Sequence, residues 1–138
     1  MDDVFVGSLM SSPVHTVGTD TSLRNAGRLM LEHGIGSVII VDDDGQLEGI
    51  LTATDFIRVI ADGDPDPDAT VGASMSTDVT TTTANESIRS VADLMLEYGF
   101  HHVPVLDNGD VIGVITTTDL AAYISRGEEP GPNDATNE

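Results

Sequence analysis

The chain contains one sequence unit twice, and this internal repeat restricts the possible folds more than any other feature. Residues 6–61 return at residues 70–126. The clearest matches are Leu29-Met30-Leu31-Glu32 with Leu94-Met95-Leu96-Glu97, and Gly49-Ile50-Leu51-Thr52-Ala53-Thr54-Asp55 with Gly113-Val114-Ile115-Thr116-Thr117-Thr118-Asp119. A unit of about 60 residues buries too little apolar surface to be secure alone. We therefore expect two copies that share a core about a pseudo-twofold axis, with any site present as a pair.

The length of 138 residues predicts a single compact domain. Within it we expect copy one and its linker at 1–66, copy two at 67–126, and a disordered acidic tail at 127–138. Residues 62–68 are acidic and contain two prolines, a composition typical of an exposed linker.

Acidic residues dominate the charge. The chain has 24 Asp and Glu residues against five Arg and no Lys, which gives a net charge of -19. At about 1 M salt the Debye length is about 3 Å, so repulsion between these charges is screened. The charge therefore predicts a halophilic source. Nucleic acids and anionic membranes bind clustered Lys and Arg, and we expect neither as a partner.

The cellular location follows from features that the sequence does not contain. It has no apolar run of membrane-spanning length, no basic and apolar signal peptide, and no cysteine for disulfides. These observations predict a cytoplasmic protein.

Each copy predicts a helix, two strands and a second helix, after an extended leading segment. The first helices follow from apolar residues at helical spacing: Leu23, Ala26, Gly27 and Met30 in copy one, and Ile88, Val91, Ala92 and Met95 in copy two. Runs rich in β-branched residues at 37–41 and 102–106 predict strands, and turns containing glycine lead to return strands at 47–51 and 111–115. Pro104 indicates an edge strand or a bulge.

The second helices are predicted to begin near Thr54 and Thr118. Their apolar faces are Phe56, Val59 and Ile60 in copy one, and Leu120, Tyr123 and Ile124 in copy two. The alternation of strands and helices places the chain in the α+β class.

Two hydroxyls and a carboxylate lie where the last strand of each copy leads into its second helix. Thr52 and Asp55 can simply cap that helix. The free N–H groups of a helix N-terminus also suit a phosphate, and an ionised Asp can accept hydrogen bonds from both hydroxyls of a ribose. The motif is thus compatible with a structural cap and with a site for a nucleoside or its monophosphate.

The β-α-β-β-α repeat, the Gly-hydrophobic-hydrophobic-Thr-x-Thr-Asp motif and their tandem occurrence over residues 4–126 resemble a pair of CBS domains, called a Bateman module. The resemblance implies two sheets packed about the pseudo-twofold axis and two clefts that bind AMP, ADP, ATP or S-adenosylmethionine. It implies a regulatory sensor that responds to its ligand by changing conformation or assembly, and a homodimer formed through helices. No cofactor is required, and the regulated protein is unknown.

The resemblance also implies which residues line the clefts, each cleft drawing on both copies. One cleft would contain Val114, Thr116, Thr118 and Asp119 of copy two, Ser11, Pro13, Ile35 and Gly36 of copy one, and His102 as a phosphate contact. The other would contain Ile50, Thr52, Thr54 and Asp55 of copy one, and Ser76, Asp78, Phe100 and His101 of copy two. The residue of copy one that corresponds to His102 is Ser37, so the Asp55 cleft would have only a serine at the place of the phosphate contact. We therefore expect the Asp119 cleft to be the better nucleotide site.

The scarcity of positive charge near the motif limits how negatively charged the ligand can be. None of the five arginines lies in the motif, although Arg58 follows Asp55 by one turn. Each missing cationic contact costs on the order of 1 kcal/mol at water-like dielectric, which favours AMP, adenosine or S-adenosylmethionine over ATP.

Catalytic and metal motifs do not emerge from the sequence. The spacing of the histidines does not predict a metal site, and no hydrolase or phosphate-loop motif is present. We therefore expect no enzyme. The alternatives to the sensor are a ligand-free protein-interaction module and a small nucleotide-processing enzyme.

Overall fold

The computed structural model describes residues 4–12 and 14–126, so the predicted tail lies outside the described residues. The chain divides into two compact units. The first, named here the Asp55 unit, contains Val14–Val79 and Gly109–Val111. The second, the Asp119 unit, contains Thr80–Asn108, Ile112–Glu138 and Met1–Pro13, as far as these ranges are described. Both units mix helices and strands, and the predicted α+β class is confirmed.

The elements follow one another in the predicted order. They are α1 (Val6–Leu9), β1 (Thr16–Gly18), α2 (Leu23–His33), β2 (Ser37–Val41), β3 (Leu47–Thr52), α3 (Ala53–Ala61), β4 (Thr82–Thr83), α4 (Ile88–Tyr98), β5 (His102–Asp107), β6 (Asp110–Thr116) and α5 (Thr117–Ser125). A short 3-10 turn covers Val71–Ala73. The leading segments are therefore not purely extended, because each contains one helical turn.

The helices α2 and α4 begin and end at residues that favour helix termini. The hydroxyls of Ser22 and Ser87 accept hydrogen bonds from the backbone N–H three residues later, at 3.0 and 3.1 Å. Gly34 and Gly99 follow the last turns with φ of 63° and 75°, a left-handed conformation that glycine adopts without steric cost. These local signals are sufficient to set both helix boundaries.

Each unit contains one three-stranded sheet, in the order β1-β2-β3 or β4-β5-β6. β1 pairs parallel to β2, β2 pairs antiparallel to β3, and β4 pairs parallel to β5. β5 is thus a central strand, and the prediction of an edge strand at Pro104 is wrong. Its neighbour β4 pairs only with Val105 and Leu106, so Pro104 lies just before this short ladder, where no β4 partner needs its missing N–H.

The core of the Asp55 unit is formed by α2, β2, β3 and one residue of the copy-two leading segment. Its buried members are Leu23, Ala26, Met30, Val38, Ile40, Leu51 and Val71. α2 lies close to α3, because a Cβ on Gly27 would be 3.6 Å from the ring of Phe56. The predicted inward face of α2 is confirmed by these contacts.

The core of the Asp119 unit has the equivalent composition. Its buried members are Val6, Val91, Met95, Val103, Val105 and Ile115, with Leu120 and Phe100 packed against them. Ile60 and Ile124, predicted on the apolar faces of the second helices, are instead exposed. The apolar stripe of each second helix is therefore wider than the surface that its core covers.

The leading segments cross between the copies. Residues 4–12 of copy one belong to the Asp119 unit, where Val6 N–H donates to Glu86 O at 2.8 Å. Residues 67–76 of copy two belong to the Asp55 unit, where Val71 N–H donates to Thr21 O at 2.8 Å. Each unit consequently combines the body of one copy with the leading segment of the other.

Among the described residues, no helix has both the length and the apolar character that crossing a membrane requires.

Candidate functional site

Each leading segment places a serine beside the strand that precedes the second helix. Ser11 and Val114 exchange two backbone hydrogen bonds, at 2.8 and 3.2 Å. Ser76 and Ile50 do the same at 2.9 and 3.0 Å. The structure thus brings Ser11 to the Thr116–Asp119 motif and Ser76 to the Thr52–Asp55 motif, within single units.

The glycine of the motif permits this close approach. A Cβ on Gly113 would lie 2.7 Å from Met10 Sδ and 2.9 Å from Ser11 O. A Cβ on Gly49 would lie 2.7 Å from both Met75 Sδ and Ser76 O. Because no side chain fits there, the repeated glycines and the repeated Met-Ser pairs meet one steric requirement, a link that sequence reasoning missed.

Asp119 caps α5 and retains part of its acceptor capacity. Its Oδ2 accepts from Thr116 N–H at 2.9 Å, and Thr116 Oγ1 accepts from Asp119 N–H at 3.0 Å, which completes a capping box. Its Oδ1 accepts from Ser11 Oγ only at the long distance of 3.5 Å. Asp119 is half-buried, and its Oδ1 can accept further hydrogen bonds because its contact with Ser11 is weak.

Asp55 also caps its helix, but its carboxylate is more fully engaged. Its Oδ2 accepts from Thr52 N–H at 2.8 Å and from Thr52 Oγ1 at 3.2 Å. Its Oδ1 accepts from Arg58 Nη1 at 2.9 Å. The side chain of Asp55 is only 8% exposed, whereas that of Arg58 is 64% exposed. The two motifs match in sequence but differ in the hydrogen bonds that their carboxylates already accept.

His102 lies in the electrostatic environment of Asp119. Burial lowers the pKa of His102 below its ordinary value of 6.5, the neighbouring His101 lowers it further, and Asp119 partly opposes the shift. Within the described residues, its Nδ1 is buried without a hydrogen-bond partner. A charged imidazole carries an N–H on both nitrogens, so protonation would bury an unsatisfied donor. His102 is consequently neutral near pH 7.

The family model for the CBS domain matches this chain twice, at residues 6–62 and 69–126. The chain belongs to the CBS domain family. The resemblance drawn from the repeated motif is thereby confirmed, as is the tandem arrangement of the two domains.

Solved structures and a curated relative agree with this assignment. The CBS domain pair of protein MJ0100, solved in complex with 5′-methylthioadenosine and S-adenosyl-L-methionine, has a TM-score of 0.83 and 28% identity, over 90% of this chain and 98% of that one. An uncharacterized conserved protein from Pyrococcus horikoshii has a TM-score of 0.86 and 30% identity, over 95% and 100%. Hypoxic response protein 1 of Mycobacterium tuberculosis is 32% identical over 117 residues, which cover 84% of this chain and 82% of that protein.

Four residues predicted to line the opposite CBS copy are tied to their own unit. Ile35 packs against the Asp55-unit core, and Gly36 O accepts from Ala53 N–H at 3.0 Å. Phe100 packs against the Asp119-unit core, and His101 O accepts from Thr117 N–H at 3.0 Å. The carbonyls of Gly36 and His101 thus bond to the start of the second helix in their own unit. The role of all four residues in the other cleft stays a prediction.

The remaining predicted residues fall into three groups. Thr54, Thr118, Asp78, Ser11 and Ser76 are exposed. Ile50 is buried and pairs with Ser76, while Val114 is half-buried. Pro13 lies outside the described residues. Ser37, the counterpart of His102, is buried in β2.

Two further features of the Asp55 unit lie outside the CBS motif. His15 and His33, unrelated by sequence spacing, stack with ring centroids 4.1 Å apart. A cavity of about 300 Å³ is lined by four carboxylates and four other residues: Asp20, Asp42, Asp43, Glu48, Gly18, Thr19, Thr21 and Val41. In the described part of the chain, no group of three or more His, Asp or Glu side chains is placed to hold a metal ion.

Proposed function

We propose that this chain is a regulatory module that binds an adenosyl compound of low charge at Asp119. The observation that carries the proposal is the incompletely engaged carboxylate of Asp119, which lies beside Ser11 and the N-terminus of α5. The MJ0100 domain pair, of the same family and fold, was solved with two adenosyl compounds. Together they support a ribose site at Asp119.

The ribose would bind through its two hydroxyls. An ionised carboxylate offers about four acceptor positions, and among the described residues two donors reach Asp119, one of them at 3.5 Å. The exposed Thr118 and the α5 N-terminus would receive the 5′ substituent.

The ligand should carry little negative charge. Arg58 lies next to the Thr52–Asp55 motif, but its charge is already paired with Asp55. His102, expected from the resemblance to contact a phosphate, is neutral near pH 7 and can offer a hydrogen bond but not a charge. Adenosine, 5′-methylthioadenosine and S-adenosylmethionine therefore fit better than ATP, with AMP between them.

The signal would be a population shift. Ser11 belongs to the leading segment of copy one, whereas Asp119 belongs to copy two. A ligand that contacts both would hold the leading segment against α5 and favour the conformation in which they are joined. We propose that the module acts in the cytoplasm without catalysing a reaction.

A homodimer is the assembly that we propose. Leu31 and its repeat equivalent Leu96 are 86% and 84% exposed, and Ile60 and Ile124 are also exposed. A second copy offers the same residues, so two such surfaces can bury one another in a symmetric contact.

Calorimetry in molar KCl tests the proposal. Purified protein is titrated with adenosine, 5′-methylthioadenosine, S-adenosylmethionine, AMP and ATP. Wild type should bind at least one of the first three, with ATP at least about tenfold weaker. Asp119→Asn keeps the shape of the cap but loses the charge, and should weaken binding at least about tenfold. Asp93→Asn, on the exposed side of α4, is the matched control.

The competing function is a ligand-free interaction module. The capping boxes favour it, because they give both Asp residues a structural role. It would be supported if no adenosyl compound bound the wild type. Binding to Asp119→Asn as tight as to wild type would instead show that the ligand does not depend on the Asp119 carboxylate. Nucleotide turnover that is lost in Asp119→Asn would instead indicate an enzyme.

A further inference from the structure

One difference between the repeated motifs changes the chemistry of the carboxylate. The turn Asp55-Phe56-Ile57-Arg58 corresponds to Asp119-Leu120-Ala121-Ala122. Arg58 Nη1 lies 2.9 Å from Asp55 Oδ1, within the same helix. Ala122, at the equivalent position of α5, cannot make such a contact. Asp55 therefore has a positively charged partner in its own helix, whereas Asp119 has an alanine at the equivalent position.

The acceptor positions that remain differ accordingly. Three donors reach Asp55 within the described residues: Thr52 N–H, Thr52 Oγ1 and Arg58 Nη1. Since a carboxylate has about four acceptor positions, one remains. A ribose diol needs two. Asp119 meets this requirement, because one of its two donors, Ser11 Oγ, is at 3.5 Å and is readily displaced.

Moving Arg58 away from Asp55 is unfavourable. Asp55 is almost fully buried, and a charge-assisted bond from a guanidinium is among the stronger hydrogen bonds in proteins. Without Arg58 the buried carboxylate keeps only the hydrogen bonds of Thr52 and loses its counter-charge. A neutral ribose restores hydrogen bonds but no positive charge, so it competes poorly for this oxygen.

We propose that Arg58 closes the Asp55 motif to ribose, so that each chain binds one adenosyl ligand, at Asp119. Arg58 is then a specificity-determining residue that acts on the number of sites, and Ala122 is the residue that leaves the second motif open. This inference rests on the proposed function. It predicts that exchanging these two side chains exchanges the sites.

The test is binding stoichiometry by calorimetry in molar KCl, with adenosine and 5′-methylthioadenosine as probes. Wild type should bind one molecule per chain. Arg58→Gln, which removes the charge but keeps a long side chain, should bind two. Ala122→Arg should weaken binding at Asp119 at least about tenfold, or about 1.4 kcal/mol. The double variant Arg58→Gln/Ala122→Arg should again bind one.

Controls separate the site from the fold. Arg28→Gln removes an exposed arginine of α2 in the same unit and should leave the stoichiometry at one. Thermal unfolding identifies variants that fail to fold. If Arg58→Gln is unstable, Ala122→Arg alone still tests the idea, because it should lose affinity at Asp119.

The outcomes distinguish the two proposals. Two molecules bound to wild type, or one bound to folded Arg58→Gln, overturn the role of Arg58 and leave adenosyl binding intact. Undiminished affinity in Ala122→Arg also overturns it. The absence of binding to wild type and to Arg58→Gln overturns the proposed function and this inference with it.

Discussion

At the scale of single residues, two glycines govern the path of the leading segments. Gly49 and Gly113 are buried and have ordinary backbone conformations, since neither has a positive φ. Their role is steric: the Met-Ser pairs of the crossing segments occupy the space in which a Cβ would lie. A methyl group there would push away the backbone that carries Ser11 or Ser76.

Gly49→Ala should destabilise the fold by about 1–3 kcal/mol, because its Cβ would overlap both Met75 Sδ and the rigid Ser76 O. Gly18→Ala is the matched control: it lies in the same unit, and a Cβ added there would meet no atom within 4 Å. Urea unfolding of the two variants measures the difference. Equal free energies of unfolding for both variants would contradict the steric role.

In the folded protein the imidazole of His102 should stay neutral to a lower pH than in the unfolded chain. Burial, reinforced by His101, holds its pKa below 6.5, and Asp119 acts in the opposite direction. The unfolded chain therefore takes up this proton first as the pH falls below about 6.5, and stability decreases there. Above about pH 6.5 the imidazole is neutral in both the folded and the unfolded chain, so its titration costs no stability there.

An NMR titration of the His102 imidazole checks this expectation. Wild type should titrate below 6.5, His101→Gln should raise the pKa and Asp119→Asn should lower it. In His102→Gln the free energy of unfolding should fall less steeply with acidification than in wild type. A pKa above the ordinary value would contradict the role of burial.

At the scale of secondary structure elements, the helices carry more apolar surface than the cores use. α2 and α4 bury Met30 and Met95 but expose Leu31 and Leu96 at their C-terminal ends. The same pairing of a buried methionine with an exposed leucine thus occurs in both copies. The exposed leucines are the strongest candidates for the proposed homodimer contact.

Leu31→Glu/Leu96→Glu should convert the dimer to a monomer, because the contacts that the exposed leucines form with the second copy would acquire buried, unpaired carboxylates. The control Glu32→Gln/Glu97→Gln changes the exposed neighbouring residues without adding charge to the apolar surface. Light scattering after size-exclusion chromatography in molar KCl gives the mass. A wild-type monomer, or an unchanged mass in the leucine variant, would reject this interface.

At the scale of the whole molecule, the net charge of -19 opposes folding through self-repulsion. Screening at about 1 M salt reduces the range of this repulsion to about 3 Å. The ion pairs of the described residues compensate little of this charge, since they engage only two carboxylates, Asp68 and Asp55.

Thermal unfolding should therefore occur at least about 5 °C higher in molar KCl than in dilute buffer. Neutralising three exposed carboxylates in Asp62→Asn/Asp64→Asn/Asp93→Asn should reduce that difference. Asp62 follows the C-terminus of α3, where a negative charge is unfavourable, so its loss should also stabilise the chain in dilute buffer. A melting temperature independent of salt would contradict halophilic adaptation.

Much of the fold was predictable because its signals are local. The hydroxyls of Ser22 and Ser87 and the glycines at 34 and 99 act on the chain within one or two turns, so the bounds of α2 and α4 follow from sequence. The motif at the start of α3 and α5 was likewise located by its residue types. The exposure of Ile60 and Ile124 was not predictable, because periodicity defines the apolar face of a helix but not how much of that face a neighbouring element covers.

The amino-acid sequence by itself determined the repeat, the α+β class and the positions of Asp55 and Asp119. Only the tertiary structure decided that the leading segments cross, that Gly49 meets Ser76, and that Asp55 is paired while Asp119 stays open. Those features depend on residues distant in the chain, or on the rotamer that a neighbour adopts in a packed environment. Burial, which lowers the pKa of His102, likewise exists only once the chain has folded.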